Sequence, residues 1–354
     1  MRTGIKKNGA LTGVDRKMLY AAIVLVALGL VMVTSASQII AHERFCSAYF
    51  FMQQHIIRIA LGGCMLFLFM KIDFKRYQKL STWMLVASFI LLIALFIWGI
   101  RVRGAVRWLR IYKFNMQPVE IAKLTLVIFF AAKLTDARHR ISEFKRGFLP
   151  LLSICIAMAI IVALQPNFSN AAFIIGLSFI LFFVGGCRLH HIALSGLTLA
   201  AVAAPFLWKQ GHILERFNVL FGWTRNSLGA SYHVDQSLIA HGVGYIGGCG
   251  IGDGLQKFHF LPDAHTDFIY SIIGEEMGVI GTMFVLALFV LILVRAVSNA
   301  HRAPNDFGYL LSLGLGCSLF LSAVINMAMT LGIFPVVGLP LPFISFGGTS
   351  LVTS

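Results

Sequence analysis

The sequence predicts an all-α, polytopic membrane protein. Of its 354 residues, 58% are hydrophobic and only 12% are charged, more apolar surface than a soluble core can bury. Nine apolar runs recur along it, most of them close to the length that crosses a bilayer. Basic residues gather in alternate connections between those runs, as in cytoplasmic loops. That bias accounts for the formal charge of +15 and leaves no reason to expect a nucleic-acid partner.

Taken in order, residues 1–18 form a basic tail with Arg2, Lys6, Lys7, Arg16 and Lys17, expected to be cytoplasmic. The first apolar run, 19–40, continues past a signal core and has no small-residue cleavage site, so it reads as a span. The remaining spans are expected at 56–70, 80–100, 119–134, 148–164, 171–186, 192–208, 268–294 and 309–334. With the N-terminus inside, most of the 29 basic residues fall on the cytoplasmic side, among them Lys71, Lys75, Arg76, Lys79, Arg138, Arg140 and Arg302. The whole chain, 1–354, reads as a single integral membrane domain without internal repeats. Its long extracytoplasmic connection, 209–266, is rich in glycine towards its end and reads as a lid or partner surface.

One cluster breaks the charge rule. Arg101, Arg103, Arg107 and Arg110 fall on the outer side, flanking Trp108. Two accounts stand level on residue type: pairing with anionic headgroups of membrane lipids, or gripping an anionic substrate through bidentate guanidinium contacts. Trp108 suits the membrane interface or a sugar face.

The stretch 261–278 places Asp263, His265, Asp267, Glu275 and Glu276 at the mouth of the eighth span. Ionisable groups at that depth are costly and therefore suspects for function. Helical spacing would align Asp267, Tyr270, Ser271, Gly274 and Gly278 along one side, leaving room for a groove or a close helix. Asp267 is the candidate base; Glu275 and Glu276 are expected to satisfy polar partners inside the bundle. Across the sequence, Pro118 opens the fourth span, where its missing N–H costs nothing, and Glu120 and Lys123 are spaced to neutralise each other. The proline-rich stretch 332–350, which contains Ser345, cannot be a plain helix and is expected to wall a cavity near Asp267.

The six cysteines show no metal spacing. Cys46 and Cys249 share the outer face, where free thiols are expected ahead of a disulfide. No cofactor is demanded by the sequence; Mg²⁺, held by one or two carboxylates and a substrate's phosphates, stays open.

Together these stretches resemble the SEDS family, the FtsW/RodA/SpoVE polymerases of bacterial peptidoglycan. The resemblance rests on 104–108 (Gly-Ala-Val-Arg-Trp), 117–123 (Gln-Pro-Val-Glu-Ile-Ala-Lys), Gln165-Pro166, Gln236-Ser237, 261–278 and 338–348. Asp15-Arg16 and the 32–37 stretch look more like the division branch than the elongation branch. The resemblance implies a peptidoglycan glycosyltransferase that polymerises lipid II at the outer face of the bacterial inner membrane, at the division septum. It implies Asp267 as the catalytic residue, with Arg107, Arg103, Trp108, Glu120, Lys123, His265 and Ser345 around the substrate. It also implies a class B penicillin-binding transpeptidase and other division membrane proteins as partners. A lipid II flippase and a non-catalytic scaffold are the alternatives. Two departures stand out: Asn167 replaces the family's aspartate after Gln-Pro, and the family's tenth span would begin where this chain stops.

Overall fold

A computed structural model describes residues 14–102, 105–111, 114–136, 141–208, 210–220 and 229–354. The chain is a helical bundle, and seven of its described helices are long and apolar enough to cross a membrane. These include α1 (Arg16–Phe45), α2 (Phe50–Met70) and α3 (Phe74–Trp98). A three-stranded antiparallel sheet follows, in the order β1 (Ile100–Val102), β2 (Ala105–Ile111), β3 (Phe114–Met116). This sheet corrects the all-α expectation. Its strands are too short and too arginine-rich to register against the apolar runs on either side.

The chain continues through α4 (Pro118–Asp136), a π-helical turn (Phe144–Phe148) leading into α5 (Leu149–Leu164), and α6 (Phe168–Val184). Next come α7 (Leu189–Trp208), α8 (Gly211–Leu220) and α9 (Ala230–Gly244). The bundle ends with α10 (Ile269–His301), α11 (Asp306–Thr330) and the short α12 (Gly348–Thr353). Each of the nine expected spans overlaps one of these helices. α4 carries four charged side chains and α6 is short for a span, so neither is among the seven. The connection 209–266 is not an open loop, because α8 and α9 lie within it.

Several helices start where side chains replace the missing backbone partners. Asp15 accepts from the Lys17 and Met18 N–H groups, Asp73 from Lys75, and Asn305 from Gly308. Two packed clusters then hold the bundle. One joins α3, α4, α5 and α6 around Phe130, Phe148 and Phe182; the other joins α1, α10 and α11 around Leu25, Met32 and Phe289. α11 contributes to both, through Phe307 at one end and Ala323 and Met327 towards the other. By contrast α2 buries only His55, and α7 only His191 and Ser195. Their broad apolar surfaces are the ones suited to face lipid.

α1 and α10 run antiparallel. Asp15 bonds Arg295 at one end of the pair, Ser35 bonds Glu276 in the middle, and Glu43 bonds His259 near the other end. α10 is not one continuous helix. It breaks at Gly278 (φ 64°, ψ −162°), a conformation open essentially to glycine alone. The segment after α9 closes the break with its own backbone. Val279 and Ile280 donate to the carbonyls of Tyr245 and Ile246, while Cys249 and Gly250 donate to those of Glu275 and Glu276. Backbone groups freed at membrane depth must find such partners.

Candidate active site

Asp267 and His265 lie in the turn just ahead of α10. The terminal segment pins that turn in place. Asn326, fully buried on α11, donates to the Asp267 carbonyl at 2.8 Å and to the Leu339 carbonyl at 2.7 Å. Ser345 donates to the Thr266 carbonyl at 2.7 Å and accepts from the Leu341 N–H at 2.8 Å. Phe346 N–H donates to the His265 carbonyl at 3.0 Å. The Asp267 carboxylate lies against the backbone at Gly338, where an added Cβ would sit 3.6 Å from Oδ2. The 332–350 stretch is therefore the wall behind Asp267. Ser345 is buried and uses its hydroxyl twice within the protein, which makes it a support for the turn rather than a group presented to a ligand.

Two arginines converge on Asp267 electrostatically, Arg107 from β2 and Arg216 from α8. Burial pulls the Arg107 pKa down and Arg216 adds to the fall, while Asp267 pulls it back up. Burial also lowers Arg216, against which Glu215 and Asp267 act. Guanidinium pKa values lie so high that both stay charged. Arg107 also donates to the Pro166 carbonyl, so the Gln165-Pro166 turn holds this side chain. Gln165 is itself anchored by donating to the Leu92 carbonyl at 2.8 Å.

Arg216 escaped the sequence reading. Its signal was a basic residue in a short polar helix of the 209–266 connection, which nothing in the sequence tied to Asp267.

Trp108 follows Arg107 on β2 where the pairing with β1 slips by one residue, so that Trp108 pairs with Ile100, Val106 with Arg101, and Arg107 is the extra residue between them. Trp108 is half-buried there. Arg103 lies outside the described residues. Glu120 and Lys123 form a buried pair at 2.8 Å on the first turns of α4, with the ammonium 4.8 Å from the Phe173 ring centre. The same end of α4 is tied to the terminal segment, since Gln117 N–H donates to Thr349 Oγ1 at 2.7 Å.

His265 packs against Phe51 and Phe346. Burial holds its pKa below the usual range, with Asp263 raising it and Arg44 lowering it further. Phe346 also carries the Arg58 guanidinium 4.1 Å above its ring. These contacts bring α2 to the edge of the site, which the sequence did not suggest.

The two glutamates deeper in α10 satisfy polar partners. Glu275 accepts from the Leu255 and Gln256 N–H groups, and Glu276 pairs with buried Lys257 at 2.9 Å and accepts from Ser35 at 2.6 Å. The expected single stripe through Gly278 does not survive, because the break there ends the helical phase. Gly274 still admits a close neighbour, since an added Cβ would lie 2.1 Å from the His241 ring of α9. Ser271 and Ser237 share a hydrogen bond at 2.6 Å, and Ser237 donates to the Thr330 carbonyl, linking α9, α10 and α11. All six cysteines are free thiols.

The family model FtsW/RodA/SpoVE, described as "Cell cycle protein", matches residues 15–354. The chain belongs to the FtsW/RodA/SpoVE family. It is 34% identical over 353 residues to a protein named probable peptidoglycan glycosyltransferase FtsW from Trichlorobacter lovleyi, covering 99% of this chain and 92% of that one. It is 32% identical over 348 residues to the stage V sporulation protein E of Bacillus subtilis, covering 96% and 93%. Among solved structures, a chain described under "Structural coordination of polymerization and crosslinking by a peptidoglycan synthase complex" aligns with a TM-score of 0.79 at 26% identity, over 97% of this chain and 94% of that one. The rod shape determining protein RodA of Thermus thermophilus shares the fold, with a TM-score of 0.72 at 24% identity, over 98% and 94% of the two chains. In this family member, the motifs that carried the resemblance meet at the Asp267 turn: 104–108 supplies Arg107, Gln165-Pro166 its anchor, and 338–348 the wall.

Proposed function

We propose that this family member is a peptidoglycan glycosyltransferase that polymerises lipid II. The observation that carries the reading is one carboxylate, Asp267, coupled to two arginines in a turn that the terminal segment holds rigid. Polymerisation needs a base for the acceptor's sugar hydroxyl and positive charge for the departing lipid pyrophosphate. Asp267 takes the hydroxyl proton, the sugar oxygen bonds to the donor's anomeric carbon, and the bond from that carbon to phosphate breaks with inversion. The electron pair leaves on the pyrophosphate, where Arg107 and Arg216 neutralise the growing charge. A separate general acid is unnecessary, because a pyrophosphate leaves far more readily than the alkoxide a glycosidase must protonate. Among the described residues no three His, Cys, Asp or Glu side chains gather to hold a metal ion. A Mg²⁺ ion would therefore draw on Asp267 and the substrate's own phosphates.

The reading extends to the membrane. With the N-terminus in the cytoplasm, as its basic residues favour, nine spans within one membrane domain would put the Asp267 turn, the sheet and α8–α9 at the outer face. The relatives named FtsW support septal synthesis, and the likeness to a synthase-complex chain supports a transpeptidase partner.

The test is polymerisation of purified lipid II by this chain, with and without the transpeptidase. Asp267→Asn should abolish product while expression and lipid binding persist. Full turnover by that variant would remove Asp267 from the mechanism, and lipid translocation into vesicles without glycan product would favour a flippase.

A further inference from the structure

At the end of the bundle away from Asp267, α3, α4 and α11 enclose a basin of about 520 Å³. Its walls include Lys75, Lys79 and Thr82 from α3, Lys133 and Asp136 from the end of α4, and Asn305 ahead of α11. Asp267 precedes α10 and Asn305 follows it, so the unbroken leg of α10 after Gly278, about 35 Å of helix, lies between the two sites. Among the described residues none of the three lysines is in an ion pair. Asp136 is the acid among the lining residues, with Asp73 capping α3 and Asp306 in the first turn of α11 close by.

A second, independent feature favours an anion here. The N-termini of α3 and α11 lie side by side, with Phe74 stacked parallel to Phe307 at 6.3 Å between ring centres. Both helices thus direct the positive ends of their dipoles towards the same rim. Beyond the rim, α3 turns a strip of exposed apolar side chains outward: Leu80, Trp83, Val86 and Ile90, with Trp83 73% exposed. A charged basin opening onto an apolar strip fits a molecule with a phosphate head and hydrocarbon tails better than it fits an acidic peptide.

We infer that this basin binds the phosphate of an anionic phospholipid in the leaflet opposite Asp267, its acyl chains lying along α3. Phosphate would be held by the ammonium groups of Lys75 and Lys79 near the start of α3 and of Lys133 in the last turn of α4. Basic pockets between membrane helices hold phospholipid headgroups by the same means. The site stands apart from the catalytic reading and does not depend on it.

The experiment uses the full chain, delipidated in neutral detergent. Its thermal stability is followed against phosphatidylglycerol, phosphatidylcholine and inorganic phosphate in separate titrations. Phosphatidylglycerol should raise the melting temperature saturably, and the other two should not. In K75Q/K79Q/K133Q the phosphatidylglycerol midpoint should move about tenfold or more to higher concentration, whereas K75R/K79R/K133R should restore it. A control variant, K71Q/R76Q/K145Q, removes as much charge outside the basin and should keep the wild-type midpoint. An equal loss in that control means diffuse attraction and overturns the site, as does an unchanged midpoint in the lysine-to-glutamine variant. A shift with inorganic phosphate as large as with phosphatidylglycerol overturns the lipid as its source. Failure of Asp267→Asn to lose polymerisation would leave all of these outcomes unaffected.

Discussion

On the proposed reading, Arg216 acquires its role through placement rather than type. Like Arg107 it interacts electrostatically with Asp267, and each guanidinium is expected to contribute a charge-assisted contact of about 1.5–3 kcal/mol to a bound pyrophosphate. Arg216→Ala should therefore raise KM for lipid II about tenfold or more in a polymerisation assay, with Arg216→Lys recovering only part because a point charge cannot form two parallel bonds. His265 supplies a pH signature. Its folded pKa lies below the usual value of 6.5 because of burial, so the unfolded chain binds the proton more readily. Stability from this group is complete above about pH 6.5 and is lost as pH falls below it. Replacing it, as His265→Gln, should flatten the fall in melting temperature between about pH 7 and pH 5. The Glu120–Lys123 pair was legible from spacing and Asp267 from its place at the mouth of a span, whereas residue type left the arginine cluster open and only the family resemblance singled out Arg107. Arg216, Asn326 and Arg58 were not, since each acts through a neighbour more than fifty positions away in the chain.

At the scale of elements, apolar runs announced the helices but concealed two departures from helix. The 100–116 sheet is short and charged, so its alternation was drowned by the spans around it. The interruption of α10 hides within an apolar run whose only sign is Gly278. A Cβ there would meet Gly248 N and the Ile246 carbonyl oxygen at 2.5 Å, on a backbone with φ 64°. Gly278→Ala should cost about 3 kcal/mol, read as a lowered melting temperature in detergent. Gly63→Ala on α2 meets nothing within 4 Å and should be neutral or slightly stabilising, since alanine is the better helix former.

The whole molecule joins two clusters through α11 and fastens the connection between α9 and α10 with buried charge. Lys257, 5% exposed, meets Glu276, 1% exposed, and Ser35 of α1. Removing one partner strands the other without water. Lys257→Met should destabilise by about 3 kcal/mol or more, and K257M/E276Q should recover much of it in a double-mutant cycle. That coupling was partly legible, because two glutamates inside an apolar run needed partners, though the sequence could not say which.

The splice at Gly278 also has a mechanical side. Tyr245 and Ile246 turn 79% and 71% of their surface outward, yet their carbonyls hold the Val279 and Ile280 amides of α10. Whatever grasps those two side chains from outside has a handle on the long leg of α10 just past its break, and from there on the joint with the short leg behind Asp267, without touching the substrate.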